Sequence, residues 1–171
     1  MLARFASETL QPPWALDRAS YQGRNVTDRA LDFDQSASIM KLRVILTDQS
    51  SRLTDITGDP VIDRAVVVVS GNPFLRFARS RHIQLAYPDL NRRYSIAGLP
   101  SGRYLVVLVE ELYPGVLYTC ENSNAIASIG TEAIIEAGTT ATLDLTFDAD
   151  AERLAGAATT LPLRTPPRLG G

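Results

Sequence analysis

The stretch Asn91–Glu111, NRRYSIAGLPSGRYLVVLVEE, decides the fold. Tyr94 and Ile96 alternate with Ser95 and Ala97. Gly98-Leu99-Pro100-Ser101-Gly102 then interrupts the pattern, and Tyr104, Val106 and Leu108 resume alternation against Leu105, Val107 and Val109. A period of two on each side of a break marks two β-strands. Pro100 has no N–H for a ladder and the flanking glycines permit positive φ, so the chain must turn a tight corner, read here as the turn of a central hairpin. The second strand is apolar on both faces, as expected at the centre of a sandwich.

Working outward, Val66–Val69 is the most strand-prone run in the chain, closed by Ser70-Gly71-Asn72-Pro73, and Ile83–Tyr87 is the next strand. Thr131–Glu136 and Thr140–Phe147, separated by Ala137-Gly138-Thr139, read as a closing hairpin with Leu143, Leu145 and Phe147 on one face. Between them, Cys120–Ile129 has apolar residues spaced for one or two helical turns. Towards the N-terminus, short strands are expected around Trp14-Ala15-Leu16, Val26, Leu31-Asp32-Phe33 and Leu42–Leu46, with a turn at Gly23. So few strands leave a sheet face that must pack on something else. The expected core is Tyr94, Ile96, Leu99, Tyr104, Val106, Leu108, Val67, Val69, Leu143 and Leu145. Beyond Asp150 the composition turns to Ala, Gly, Pro, Thr and Arg, and residues 150–171 read as a disordered tail.

The chain has 171 residues, 45% of them hydrophobic, and a formal charge of −2. That is ample for a core and gives no overall attraction to nucleic acid or to an acidic membrane. Charge is uneven: residues 72–103 hold Arg76, Arg79, Arg81, Arg92, Arg93 and Arg103 against Asp89 alone, whereas residues 104–152 hold nine acids and no base. Arginines on strand exteriors and loops are expected to serve solubility. One cysteine, Cys120, excludes an internal disulfide, and one histidine, His82, excludes zinc sets built from several His or Cys ligands. Cys120 reads as a half-buried structural thiol and His82 as a strand-edge residue rather than a base. No run approaches the ~20 apolar residues of a membrane span, and Met1–Leu16 lacks the apolar segment of a signal peptide.

Asp55-Ile56-Thr57-Gly58, Pro60-Val61, the valine strand Ala65–Val69 and the run Asp89–Tyr104 with its Gly-Leu-Pro-x-Gly-x-Tyr portion together resemble the carboxypeptidase regulatory-like domains. These are transthyretin-like β-sandwiches, also grouped with the carbohydrate-binding-like folds. The resemblance marks Gly98, Leu99, Pro100, Gly102, Tyr104 and Tyr94 as fold-defining and implies an all-β Greek-key sandwich over residues 49–149. Residues 1–48 resemble the last strands of a preceding sandwich, as in tandem-repeat members from soil bacteria, cut at its front. The chain departs from the family pattern where Arg92 stands in place of a glycine. The resemblance implies the accessory domain of metallocarboxypeptidases only, with no catalytic domain, no cofactor and no metal. It implies an extracellular or periplasmic location, and the absent leader suggests a fragment of a longer exported protein.

Two functional readings compete with a structural or interaction module that meets neighbouring domains or a protein partner. Carbohydrate binding would use exposed rings stacked on sugar faces, with Tyr113, Tyr118, Trp14 and Tyr87 as candidates, although Trp14 and Tyr87 also suit core or strand positions. Hydrolysis or calcium binding would draw on Asp144, Asp148, Asp150, Asp32 and Asp34, but alternating acids at a strand end ordinarily face solvent, and no glycine-bearing calcium loop accompanies them.

Overall fold

The computed structural model describes residues 2–3, 14–29, 31–32, 41–58, 64–78, 80–110 and 120–148. In chain order the strands are β1 (Leu2–Ala3), β2 (Ala15–Tyr21), β3 (Arg24–Asn25), β4 (Leu31–Asp32), β5 (Leu42–Thr47) and β6 (Arg52–Ile56). They continue as β7 (Arg64–Ser70), β8 (Ile83–Ala86), β9 (Arg93–Ala97), β10 (Gly102–Glu110), β11 (Thr131–Ile135) and β12 (Thr140–Thr142), with one helix, α1 (Cys120–Ile129), before β11. The fold is all-β. A four-stranded sheet ordered β11-β10-β7-β8 faces a three-stranded sheet ordered β12-β6-β9, and a separate three-stranded sheet, β3-β2-β5, precedes them; β1 pairs with β4.

Antiparallel pairing of β7 with β10 sets Tyr104, Val106 and Leu108 opposite Ser70, Val68 and Val66, and Leu105, Val107 and Val109 opposite Val69, Val67 and Ala65. Because side chains alternate across a strand, these two sets line opposite faces. The first set meets Leu53, Tyr94, Ile96, Leu99, Ala133, Ile135 and Leu145 in the core between the sheets. The second, with Ile83, packs against Ile126 and Ala127 of α1. That helix is why both central strands are apolar on both faces. Val67 and Val69 thus belong to the outer core under the helix rather than to the inter-sheet core, where Leu143 is only partly buried. The helix is about three turns long, more than the one or two expected. Gly130 ends it close to the sheet: a Cβ there would stand 2.9 Å from Leu105 Cβ.

Two expected hairpins are absent. β9 pairs with β6 and β10 with β7 and β11, so Gly98–Ser101 carries the chain from one sheet to the other. Tyr94 and Ile96 therefore face Tyr104 and Val106 across the core instead of lying beside them. Likewise β11 pairs with β10 while β12 pairs in parallel with β6, so residues 136–139 also cross between sheets. Period-two alternation identifies a strand but is equally satisfied by a hairpin and by an arch.

The corner is fixed locally. Gly98 takes φ +76° and donates its N–H to Ser51 O at 2.9 Å, while Ser51 Oγ donates to Leu99 O. Tyr104 then reaches back, its hydroxyl donating to Pro100 O at 2.8 Å. Tyr94 donates similarly to Leu143 O, tying β9 to the chain beyond β12.

Arg92 has φ +64°, a left-handed conformation that suits glycine. Its guanidinium recovers part of the cost by donating to Gly58 O at 3.0 Å, and its carbonyl accepts the Thr57 N–H at 2.9 Å. Backbone relief and the loss of an exposed hydrogen bond are each worth about 1 kcal/mol. Arg92→Gly should therefore stay within about 0.5 kcal/mol of the parent in urea unfolding, whereas Arg92→Val, β-branched and without the donor, should lose about 2 kcal/mol.

Candidate functional site

A polar network joins the first sheet to the sandwich, and it is built from two turns. In the first, Asn25 Oδ1 accepts the Thr27 backbone N–H at 3.0 Å and the Thr27 hydroxyl at 2.6 Å. Thr27 Oγ1 in turn accepts the Ala19 N–H at 3.0 Å, and Val26 is buried. This Asx-type turn holds Asp28, which follows directly, against the end of the sandwich. In the second, the Ile83 N–H donates to Ser80 O at 3.1 Å and the His82 N–H to Ser80 Oγ at 3.2 Å, so Arg81 and His82 occupy the two central positions of a tight turn into β8.

Between the turns, Arg81 Nε donates to Asp28 Oδ1 at 2.7 Å and Nη2 to Oδ2 at 3.3 Å, a two-pronged pair, while Nη1 donates to Leu16 O at 2.6 Å. Leu16 lies beside a bulge in the β2–β5 pairing. His82 is 5% exposed. Its Nδ1 lies 3.0 Å from Tyr104 Oη, and its Nε2 lies 3.2 Å from Asp28 Oδ1, at ion-pair distance but without hydrogen-bond alignment. Among the described residues Nε2 has no hydrogen-bond partner.

Burial pushes the Asp28 carboxyl up, but its contacts with His82 and Arg81 and their charges prevail and hold it well below the usual carboxylate range. A carboxyl depressed on folding contributes stability that is complete above its unfolded value, about 3.9, and is lost as pH falls below it. Acid titration of the folded chain should therefore weaken it progressively from about pH 5 downwards, and Asp28→Asn should flatten that part of the curve in denaturant melts.

The order Tyr104–His82–Asp28 has the form of a hydroxyl–imidazole–carboxylate relay, but it lacks the chemistry of one. Burial drives the Tyr104 phenol well above its usual range; the Arg81 charge opposes this and Asp28 adds to it. The hydroxyl donates to Pro100 O at 2.8 Å, a bond that ties the ring to the corner. The arrangement holds two parts of the chain together. A cleft of ≈ 380 Å³ opens beside it, lined by Ser70, Asn72, Leu75, Ser101, Arg103 and Tyr104 among others.

Sequence reasoning missed this network. His82 is not a strand-edge residue but is buried in a turn, and two of the arginines assigned to solubility are structural. Arg76 is buried, donating to Ser70 O at 2.6 Å, to Gly71 O at 3.2 Å and to Asn124 Oδ1 of α1 at 2.8 Å. Arg92, Arg93 and Arg103 are exposed as expected, with Arg103 3.6 Å from Glu132. Of the candidate sugar-binding rings, Trp14 (53% exposed) and Tyr87 (58%) stand in solvent rather than in the core. Trp14 precedes β2 and Tyr87 follows β8, and no strand pairing joins them. Tyr113 and Tyr118 lie outside the described residues, as do Asp34, Asp150 and the 150–171 segment. Asp144 and Asp148 are exposed, and the described residues contain no group of three or more side chains able to hold a metal. No described helix is long and apolar enough to cross a membrane.

No family model and no curated protein matches the chain. Among solved structures it is similar to GBS52, the minor pilin of Streptococcus agalactiae, at 16% identity and TM-score 0.35, over 68% of this chain and 57% of that one. It is also similar to the Bacillus anthracis TIE protein, at 13% identity and TM-score 0.31, over 62% of this chain and 19% of that one. The chain thus spans little more than half of the first protein and about a fifth of the second.

Proposed function

We propose that this chain is a non-catalytic β-sandwich module, of the carboxypeptidase regulatory-like type, that spaces and docks neighbouring domains in an exported multi-domain bacterial protein. The observation that carries this reading is the Arg81–Asp28 clamp. A bidentate pair with a third bond to Leu16 O fixes the geometry of one β-unit on the next, which a spacer needs and a ligand site does not. The family reading is supported by the Gly98–Tyr104 corner, where Gly98 takes a positive φ, Leu99 is buried and Tyr104 donates to Pro100 O. Residues 1–48 are read as the closing strands of a preceding sandwich and 49–149 as the module itself.

Glycan binding is the second reading, favoured by the exposure of Trp14 and Tyr87. A soluble glycan panel separates the two. The spacer reading expects no retained sugar. Binding that is lost in Trp14→Ala or Tyr87→Ala would overturn it in favour of a carbohydrate-binding module.

A further inference from the structure

His82 is the single histidine of the chain, and the geometry around it decides where its protons can sit. Tyr104 Oη has one proton, directed at Pro100 O at 2.8 Å. The 3.0 Å contact between Tyr104 Oη and His82 Nδ1 therefore needs its hydrogen from the ring, so Nδ1 carries N–H. In the neutral ring Nε2 is then a bare lone pair, buried, facing Asp28 Oδ1 across 3.2 Å. Two lone pairs at that distance repel. A second proton, on Nε2, converts the same contact into an imidazolium–carboxylate ion pair at 3.2 Å.

We propose that His82 is a proton-operated latch: with Nε2 protonated, the ring joins Arg81 in clamping Asp28 and closes the β3-β2-β5 sheet on the sandwich, and without that proton the clamp slackens. Among the described residues the charged and titratable groups facing the ring are few. Asp28 arrives from the turn after β3, Arg81 from the ring's own turn, and Tyr104 from β10, with Arg103 lining the same cleft. Arg81 already engages both oxygens of Asp28, so the carboxylate screens one cation from the other. Tyr104 remains a neutral acceptor throughout. The elements coupled are distinct: Asp28 belongs to the first sheet, whereas His82 and Tyr104 belong to the sandwich. Closure is therefore strongest when the imidazole is protonated and Asp28 is still ionised.

The test uses the full chain labelled with nitrogen-15, in which the only imidazole resonances are those of His82. Two-bond ring correlations identify the neutral tautomer. The Nδ1–H form is expected, and an Nε2–H form would overturn the proposal. Amide exchange in β2, corrected for intrinsic rates and referenced to β7 in the same sample, is then followed as the ring resonances titrate. Exchange in β2 should slow on the order of tenfold on protonation, the factor expected of one charge-assisted contact, with β7 unchanged. In His82→Asn the side-chain amide can replace the Nδ1–H donor to Tyr104 but cannot titrate, and the step should vanish. It should vanish also in Asp28→Asn. A step that persists in His82→Asn, or a parent protein whose β2 exchanges equally in both ring states, sinks the latch.

Discussion

Replacing Tyr104 by alanine is expected to lower the unfolding free energy by about 3–5 kcal/mol, the range for truncating a buried aromatic to alanine. The ring is 1% exposed and sits in the core between the sheets. Its hydroxyl is at once the donor that locks the Gly98–Gly102 corner and the acceptor for His82. Tyr104→Phe separates these roles. It keeps the ring and removes the oxygen, leaving Pro100 O without its donor and His82 Nδ1 without its acceptor, and should cost about 1–3 kcal/mol. Urea unfolding of both variants gives the comparison. A loss below about 1 kcal/mol for Tyr104→Ala would mean that the ring does not pack as a core residue.

The second large effect is expected at Leu99. Its side chain is 2% exposed and fills the end of the inter-sheet core, while its carbonyl accepts from Ser51 Oγ. Leu99→Ala should cost about 2–4 kcal/mol, since the residues around it are anchored on two sheets and cannot collapse into the space. Ser51→Ala, which removes the donor while leaving the apolar volume intact, should cost about 1 kcal/mol. Equal effects from the two, measured by the same urea titrations, would show that Leu99 contributes through its backbone and not its side chain.

The candidate site was less legible than the fold because its parts signal nothing locally. Asp28 lies in an Asn-Val-Thr-Asp turn that reads as an ordinary loop, and Arg81-His82 reads as the polar lead-in to a strand. Their pairing spans 53 residues and two different sheets. Spacing rules work within one helix, strand or turn, so they cannot report a contact between turns that only packing brings together. For Trp14 and Tyr87 the sequence left an exposed ring and a core position both open, because the exposure of an aromatic residue at a strand end depends on which face the sheet turns outward.

Local chemistry in the chain was sufficient to establish that the protein is all-β, where its central strands run, and that Gly98-Leu99-Pro100-Ser101-Gly102 is a corner. Alternation, β-branching and the missing proline donor act between neighbours in sequence. The register of each strand, the passage of that corner between sheets, the parallel pairing of β12 with β6, the helix over the outer face, the burial of Arg76 and His82 and the pairing of Arg81 with Asp28 were decided only by tertiary structure. Each depends on burying apolar surface and pairing polar groups across long sequence separations, where the alternatives differ in packing free energy and not in local propensity.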